Sequence, residues 1–252
     1  MRKILKFICL ILAISALSCA IASCDEKPID DKAFYDYTAS NTGKGTDIRM
    51  LYVEREIDSM KAEDFVESDK QSDFIMIKVK DYGSIVAVLR SDIAPISVAN
   101  IKKLVSEKFY DGTVFHRVIE NFMIQGGGCT VEVGDDGKTS SFIAKEAETV
   151  KGEFASNGIE NHLSHVRGVL SMARATDKNS ASSQFFIIHQ TNSSSLNLNG
   201  EYASFGYVLA GMDVVDAIAT CEVYAADTSS PFPAKDVVIE SVRFVEPKDK
   251  LW

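Results

Sequence analysis

The sequence lacks the motifs of several enzyme classes. It contains no Gly-x-Ser-x-Gly elbow and no glycine-rich phosphate loop ending in Lys, which excludes the common serine hydrolases and nucleotide-binding enzymes. Histidine is scarce, with four in 252 residues. His162 and His165 are near neighbours, but no nearby pattern of Cys or acidic residues completes a zinc site. We therefore expect neither a metal nor a cofactor.

Basic residues and cysteines are also few. The chain has 27 Lys and Arg against 36 Asp and Glu, and three of the basic residues lie in the first 23 positions. Loss of that segment would take the formal charge from −9 to −12, which argues against nucleic-acid binding through bulk electrostatics. Beyond Cys24 the chain has two cysteines, Cys129 and Cys221, which either form one disulfide or remain unpaired thiols.

Residues 1–23 have the composition of an export signal. Basic residues at positions 2, 3 and 6 precede the apolar run Ile8–Ile21, which is short for a transmembrane span. The run Ile21-Ala-Ser-Cys24 resembles a bacterial lipobox, in which the Cys is lipidated and becomes the mature N-terminus. We therefore predict an exported protein anchored to the cell envelope through Cys24. The alternative is an ordinary cleaved signal in which Cys24 is incidental.

Residues 24–72 are predicted to be a lipid-anchored tether ahead of the folded domain. Residues 25–46 are rich in Asp, Lys, Ser, Thr, Asn and Gly, which is typical of a solvated linker. Residues 47–66 carry a partial helical stripe, which predicts a helix that docks on the domain or, as an alternative, binds a partner. The 46% hydrophobic content suits one globular domain with extensions, placed at 73–247 with a tail at 248–252.

Within the domain, turn signals separate short strand-like segments. A helix after Pro95 is predicted to begin with Ser97 as its N-cap and to pack an apolar stripe on the core. Residues 129–164 are predicted to be an irregular surface connection with weak strand signals. Strands are predicted at Phe74–Val79, Ile85–Leu89, Thr113–Ile119, Phe122–Gln125, Phe205–Leu209 and Val237–Val245, and a second helix at Met212–Ala219.

Two runs carry the candidate site. The first is Phe115-His-Arg-Val-Ile-x-x-Phe-Met-Ile-Gln-Gly-Gly127, a strand, a turn and a second strand that the glycines end. Its first strand is apolar on both faces yet holds Arg117, and a half-buried Arg needs a partner or a function. His116 lies on the opposite face and is interpreted as structural. The second run is Ser183-Gln-Phe-Phe-Ile187, where both faces are dry or one lines a pocket.

Together with Gly168-Val-Leu-Ser-Met-Ala173 and Phe205-Gly206, these runs resemble the cyclophilin family of peptidyl-prolyl cis-trans isomerases in content and order. The resemblance covers roughly Asp73 to Glu246. It implies a mainly β fold, an eight-stranded antiparallel β-barrel capped by two α-helices. It also implies an enzyme that rotates X–Pro bonds in proline-containing segments.

This reaction breaks no bond and needs no nucleophile or metal. Conjugation of the amide sets a rotation barrier of about 18–20 kcal/mol. A donor to the proline nitrogen, which regains a lone pair as the amide twists, lowers that barrier, and a permanently charged guanidinium suits the task. A gain of about 10⁵ in rate requires roughly 7 kcal/mol, which one such donor plus positioning can supply.

The resemblance implies roles for individual residues. Arg117 is the donor, and Gln125 supports Arg117 and the substrate backbone. Ala173 and Arg174 offer backbone contacts, with Gln184 beside them. The proline pocket is assigned to Phe122, Met123, Phe186 and Leu198, with Tyr202 where many members have His. Ordinary core packing is the alternative for Phe122, Met123 and Phe186.

Two positions depart from the family pattern. Asn197 falls where many members carry a Trp at the pocket rim, so we expect weak inhibition by the cyclic peptide cyclosporin. Arg174 replaces the Asn that is usual in eukaryotic members, which fits a bacterial origin.

Three functions remain possible at this point. The first is a monomeric, membrane-anchored isomerase acting on exported proteins, which the intact Arg117, Gln125 and Phe186 favour. The second is a catalytically weak module or chaperone that grips proline-containing segments. The third is a surface-display protein whose role lies in the tether and in residues 129–164.

Overall fold

The computed structural model describes residues 60–133, 140–224 and 230–248. The predicted signal segment, Cys24 and most of the predicted tether lie outside them. The described strands are β1 Phe65–Glu67, β2 Phe74–Val79, β3 Gly83–Leu89, β4 Thr113–Ile119, β5 Met123–Val133, β6 Ser140–Ala144, β7 Val169–Met172, β8 Phe185–Ile188, β9 Ser204–Ala210, β10 Val223–Tyr224, β11 Phe232–Pro233 and β12 Val237–Pro247. The described helices are α1 Pro95–Ser106, α2 Ser193–Leu196 and α3 Met212–Ala219.

Eight of these strands close into an antiparallel barrel. Their order around the ring is β12-β2-β3-β9-β7-β8-β5-β4, and the first residues of β12 pair with β4 to close it. The long β12 also pairs with β2 past a bulge and with β1 at its end, while β6 extends β5. The predicted eight-stranded β-barrel is confirmed, and closure removes the free edges of the ring.

Two helices pack on the barrel as predicted. Val98, Ile101 and Leu104 of α1 lie in the main hydrophobic core, and so do Val215 and Ile218 of α3. Each set recurs at helical spacing, so one face of each helix is buried against the strands. The predicted bounds of α3 agree with those of the structure. The short α2 is an additional helix that the sequence did not predict.

The start of α1 differs from the prediction. The helix begins at Pro95, and its N-cap is Ala94, whose side chain makes no capping hydrogen bond. Ser97 lies inside the first turn instead of capping it. The buried carboxylate of Glu153 accepts the backbone N–H groups of Ile96 and Ser97 at 2.9 and 2.7 Å, and the Ser97 hydroxyl at 2.7 Å. A distant residue thus replaces the local cap.

The glycines after Gln125 do not end their strand, contrary to the prediction. β5 runs on to Val133 and pairs with β6, so part of the predicted irregular connection is sheet. Gly126 allows close approach between strands, because a Cβ there would lie 2.8 Å from the carbonyl oxygen of Val114. At Gly128 a Cβ would lie 2.1 Å from Cγ of Gln184, so the glycine leaves room for that side chain.

The chain lies against the barrel from Met60 onward, earlier than the predicted domain start at Asp73. Met60 bridges to Ala210, and Phe65 is buried in a second core cluster. The described end of the helix predicted at 47–66 forms a 3₁₀ turn and β1 instead. No helix among the described residues is long and apolar enough to cross a membrane. Cys129 and Cys221 are unpaired thiols.

Candidate active site

Strand pairing brings three predicted residues into one row. Arg117 on β4 lies opposite Gln125 on β5, which in turn lies opposite Phe186 on β8. Residues paired across strands share a face of the sheet. A register shift between Phe115 and Arg117 marks a bulge, so Phe115 fills the barrel core while Arg117 belongs to the outer face. Two distant parts of the sequence therefore meet on one surface.

A chain of polar contacts runs along this row. The Nη1 group of Arg117 donates to Oε1 of Gln125 at 3.1 Å, and Nε2 of Gln125 donates to Oε1 of Gln184 at 3.0 Å. Arg117 Nη1 also lies 3.9 Å from the sulfur of Met123. Both ends of the Gln125 amide are therefore engaged, which orients it between Arg117 and Gln184.

The Arg117 guanidinium is half-buried and charged. Burial lowers its pKa, while the nearby Tyr202 acts in the opposite direction. Because arginine starts from a very high pKa, the group stays protonated at neutral pH. A charged donor held at a partly desolvated surface interacts more strongly with a developing lone pair than one in water.

An apolar cluster lies beside the polar chain. Met123 and Phe186 form its buried floor, 1% and 4% exposed. Phe122, Leu198 and Tyr202 are only partly buried and pack around that floor. The rings of Phe186 and Tyr202 meet edge to face at 5.9 Å, a favoured aromatic geometry. The structure thus joins the predicted pocket residues in one cluster, with Ala173 also packed against it.

Arg174 has a larger part in this cluster than the predicted backbone contact. Its guanidinium carbon lies 4.7 Å from the ring centroid of Tyr202 and 5.2 Å from that of Phe154. Its Nε donates to the carbonyl of Glu201 at 3.0 Å. Arg174 therefore supports the Tyr202 side of the cluster through cation–π contacts.

His165 is a site residue that the sequence reasoning missed, since it considered this residue only as a metal ligand. Its buried ring stacks on Phe186, with centroids 6.0 Å apart and an interplanar angle of 20°. Nδ1 lies 3.0 Å from Oδ1 of Asn199, and Nε2 lies 2.9 Å from the hydroxyl of Ser171. Burial lowers the pKa of His165 to about 4, so the ring is neutral. No local sequence signal marks this stack, because its partners come from separate segments.

The remaining predicted features lie at the margins of the site. Asn197 is exposed directly after α2, next to Leu198 of the cluster. His116 is mostly buried, and both burial and the charge of Arg117 lower its pKa. Among the described residues, no group of three or more His, Cys, Asp and Glu side chains is placed to hold a metal ion.

Comparison with known proteins identifies relatives in sequence and in fold. The model of the family described as cyclophilin type peptidyl-prolyl cis-trans isomerase/CLD matches residues 74–244. A peptidyl-prolyl cis-trans isomerase of Acinetobacter baylyi is 40% identical over 171 residues, covering 67% of this chain and 84% of the relative. Peptidyl-prolyl cis-trans isomerase B of Escherichia coli is 40% identical over 172 residues, covering 66% of this chain and 96% of the relative.

A solved structure agrees with the sequence relatives. The crystal structure of a cyclophilin type peptidyl-prolyl cis-trans isomerase from Cryptosporidium parvum superimposes with a TM-score of 0.54 at 26% identity. The superposition covers 70% of this chain and 99% of the Cryptosporidium chain. The chain belongs to the cyclophilin family of peptidyl-prolyl cis-trans isomerases.

Proposed function

We propose that the protein rotates X–Pro bonds of exported polypeptides at the surface built by Arg117, Gln125 and the apolar cluster. The observation that carries this proposal is the contact between Arg117 and Gln125 beside Phe186, all in one cross-strand row. A charged donor and an apolar floor side by side are what a twisting prolyl amide requires.

In this mechanism the proline ring rests on the cluster formed by Phe122, Met123, Phe186 and Leu198. The guanidinium of Arg117 donates toward the proline nitrogen as the amide loses conjugation. Gln125 holds the guanidinium through Oε1, and its Nε2 contact with Gln184 keeps that oxygen facing Arg117. No covalent intermediate forms, because rotation alone converts substrate to product.

We also propose that the protein is exported and anchored to the cell envelope. The run ending at Cys24 and the acidic linker after it support a lipid-anchored form that faces exported proteins. The negative formal charge, with or without the first 23 residues, makes nucleic acid an unsuitable partner. A monomer suffices for the chemistry, since the proposed site residues all come from one chain.

The test is turnover of an X–Pro peptide by the full chain, wild type beside Arg117→Ala and Arg117→Lys. We expect Arg117→Ala to lower kcat/KM by about 10- to 1,000-fold with little change in Tm. Arg117→Lys keeps the charge but loses the planar fork, so we expect its kcat/KM to lie between those of wild type and Arg117→Ala. Equal and negligible rates in wild type and variants would instead favour the binding module.

A further inference from the structure

The turn between β4 and β5 carries one wall of the pocket. Phe122 follows Asn121, whose φ of 61° lies in the left-handed region that favours glycine. A backbone hydrogen bond of 3.1 Å from the N–H of Phe122 to the carbonyl of Ile119 closes the turn. A short turn with an unfavourable backbone angle needs support from elsewhere in the fold to hold one position.

His189 supplies that support directly after β8. Its backbone N–H donates to the carbonyl of Phe122 at 2.9 Å. Its imidazole Nδ1 accepts the backbone N–H of Asn121 at 3.0 Å. His189 is 4% exposed, so these bonds are sheltered from water. His189 thus binds two consecutive residues of the turn, Asn121 and Phe122. The side-chain amide of Asn192 also donates to the carbonyl of Asn121.

The imidazole is in turn oriented from α3. Because Nδ1 accepts a hydrogen bond, Nε2 carries the proton, and it lies 3.3 Å from Oδ1 of Asp216. Arg167 grips the same carboxylate with both terminal nitrogens at 2.7 and 2.8 Å. Arg167 also donates to the carbonyl of His189 at 2.7 Å. The tautomer and the ring plane of His189 are therefore held from both sides.

We propose that His189 is a positioning residue that sets the place of Phe122 in the proline pocket, with Asp216 and Arg167 fixing its ring. This inference rests on the proposed pocket role of Phe122. Without the acceptor at Nδ1, the Asn121 N–H loses its partner and the turn can shift. A displacement of about 1 Å at a positioning group is enough to cost a large part of the rate.

Two substitutions of His189 separate the contributions of its two ring nitrogens. His189→Asn places its side-chain oxygen near the position of Nδ1, so it can still accept from Asn121 but no longer reaches Asp216. His189→Gln reaches toward Asp216 but leaves the Asn121 N–H without its acceptor. We expect kcat/KM of the full chain to fall about tenfold in His189→Gln, mainly through KM, and to stay within about threefold of wild type in His189→Asn.

Hydrogen exchange at the Asn121 amide distinguishes the two variants. A merely structural role of His189 would change the exchange of this amide equally in both. The amide should lose protection in His189→Gln and keep it in His189→Asn. His162→Gln, at a partly exposed histidine outside the site, serves as the matched control and should change neither quantity. Equal kcat/KM losses in both His189 variants, following their Tm, would overturn the inference.

A double-mutant cycle with Phe122→Ala completes the test. If His189 acts through Phe122, His189→Gln lowers kcat/KM no further in the Phe122→Ala background. Additive losses would show that His189 acts by another route and would reject the inference alone. A wild-type rate in Phe122→Ala would instead reject the proposed pocket, and the inference with it.

Discussion

His165 stacks on Phe186 with 6.0 Å between ring centroids, and the protein thereby buries a titratable ring beneath the proposed proline pocket. Asn199 and Ser171 bind the two ring nitrogens. The environment favours the neutral imidazole, because burial penalises the charged form. This relationship makes the stability of the pocket floor depend on pH.

We predict that stability falls as the pH is lowered through the range between 6.5 and about 4, the ordinary and folded pKa values of His165. The unfolded chain binds a proton in this range that the folded protein does not, so acid favours unfolding. The difference corresponds to a loss on the order of 3 kcal/mol. Urea denaturation at several pH values measures it.

Burial also lowers the pKa values of His116 and His189, so they change stability in the same direction. The contribution of His165 is therefore the difference in pH slope between wild type and His165→Gln, which cannot titrate. Identical slopes in the two proteins would contradict the assignment.

Gln125→Ala should lower kcat/KM by about 10- to 100-fold while Tm stays within a few degrees. The change removes the acceptor that holds Nη1 of Arg117 at 3.1 Å and breaks the link to Gln184. Isomerase assays and thermal melts on the full chain test this. The exposed Gln190 gives the control, Gln190→Ala, with an expected rate like wild type. Equal effects of both changes would argue against a supporting role for Gln125.

Cyclosporin should inhibit this protein weakly, because exposed Asn197 offers no flat apolar surface at the pocket rim. Asn197→Trp should tighten inhibition by about tenfold, equivalent to about 1.4 kcal/mol. Inhibition curves with the two proteins measure the change. Wild-type affinity as tight as that of Trp-bearing relatives would show that the rim residue is not decisive.

Glu153→Ala should destabilise the fold by about 2–4 kcal/mol. The buried carboxylate accepts three hydrogen bonds at the start of α1, and its loss removes the acceptor of the partly buried Ile96 N–H and of the buried Ser97 N–H. Urea denaturation tests the prediction. Glu160→Gln, at an exposed carboxylate, should leave stability within about 0.5 kcal/mol of wild type. A similarly small effect at Glu153 would contradict the capping role.

Cys24→Ser should release the protein from the membrane fraction, because the predicted lipid attachment needs that thiol. Cys19→Ser is the matched control in the same segment and should leave the protein with the membranes. Fractionation and lipid labelling of both variants test the prediction. Membrane association that survives Cys24→Ser would favour another mode of anchoring.

Local sequence patterns determined many of the elements of this protein, but not α2, β1 or β6. Residues close together in the chain set the alternation of the strands, the bounds of α3 and the strand pattern around Arg117. These local patterns are the same wherever the strand or helix packs, so the sequence alone predicts them. Family motifs also named the pocket residues that the structure joins in one cluster. The start of α1 was not predicted in this way, because the residue that caps it, Glu153, lies far along the chain.

Only the tertiary structure decided which distant side chains support the site. His165 beneath Phe186, Arg174 against Tyr202, and His189 under the Phe122 turn are contacts between segments well separated in sequence. The residues adjacent to each of these side chains in the sequence do not predict the contacts. Closure of the barrel brings these segments together. Because a buried polar group without a partner is unfavourable, each side chain then takes the position in which its polar atoms are hydrogen-bonded.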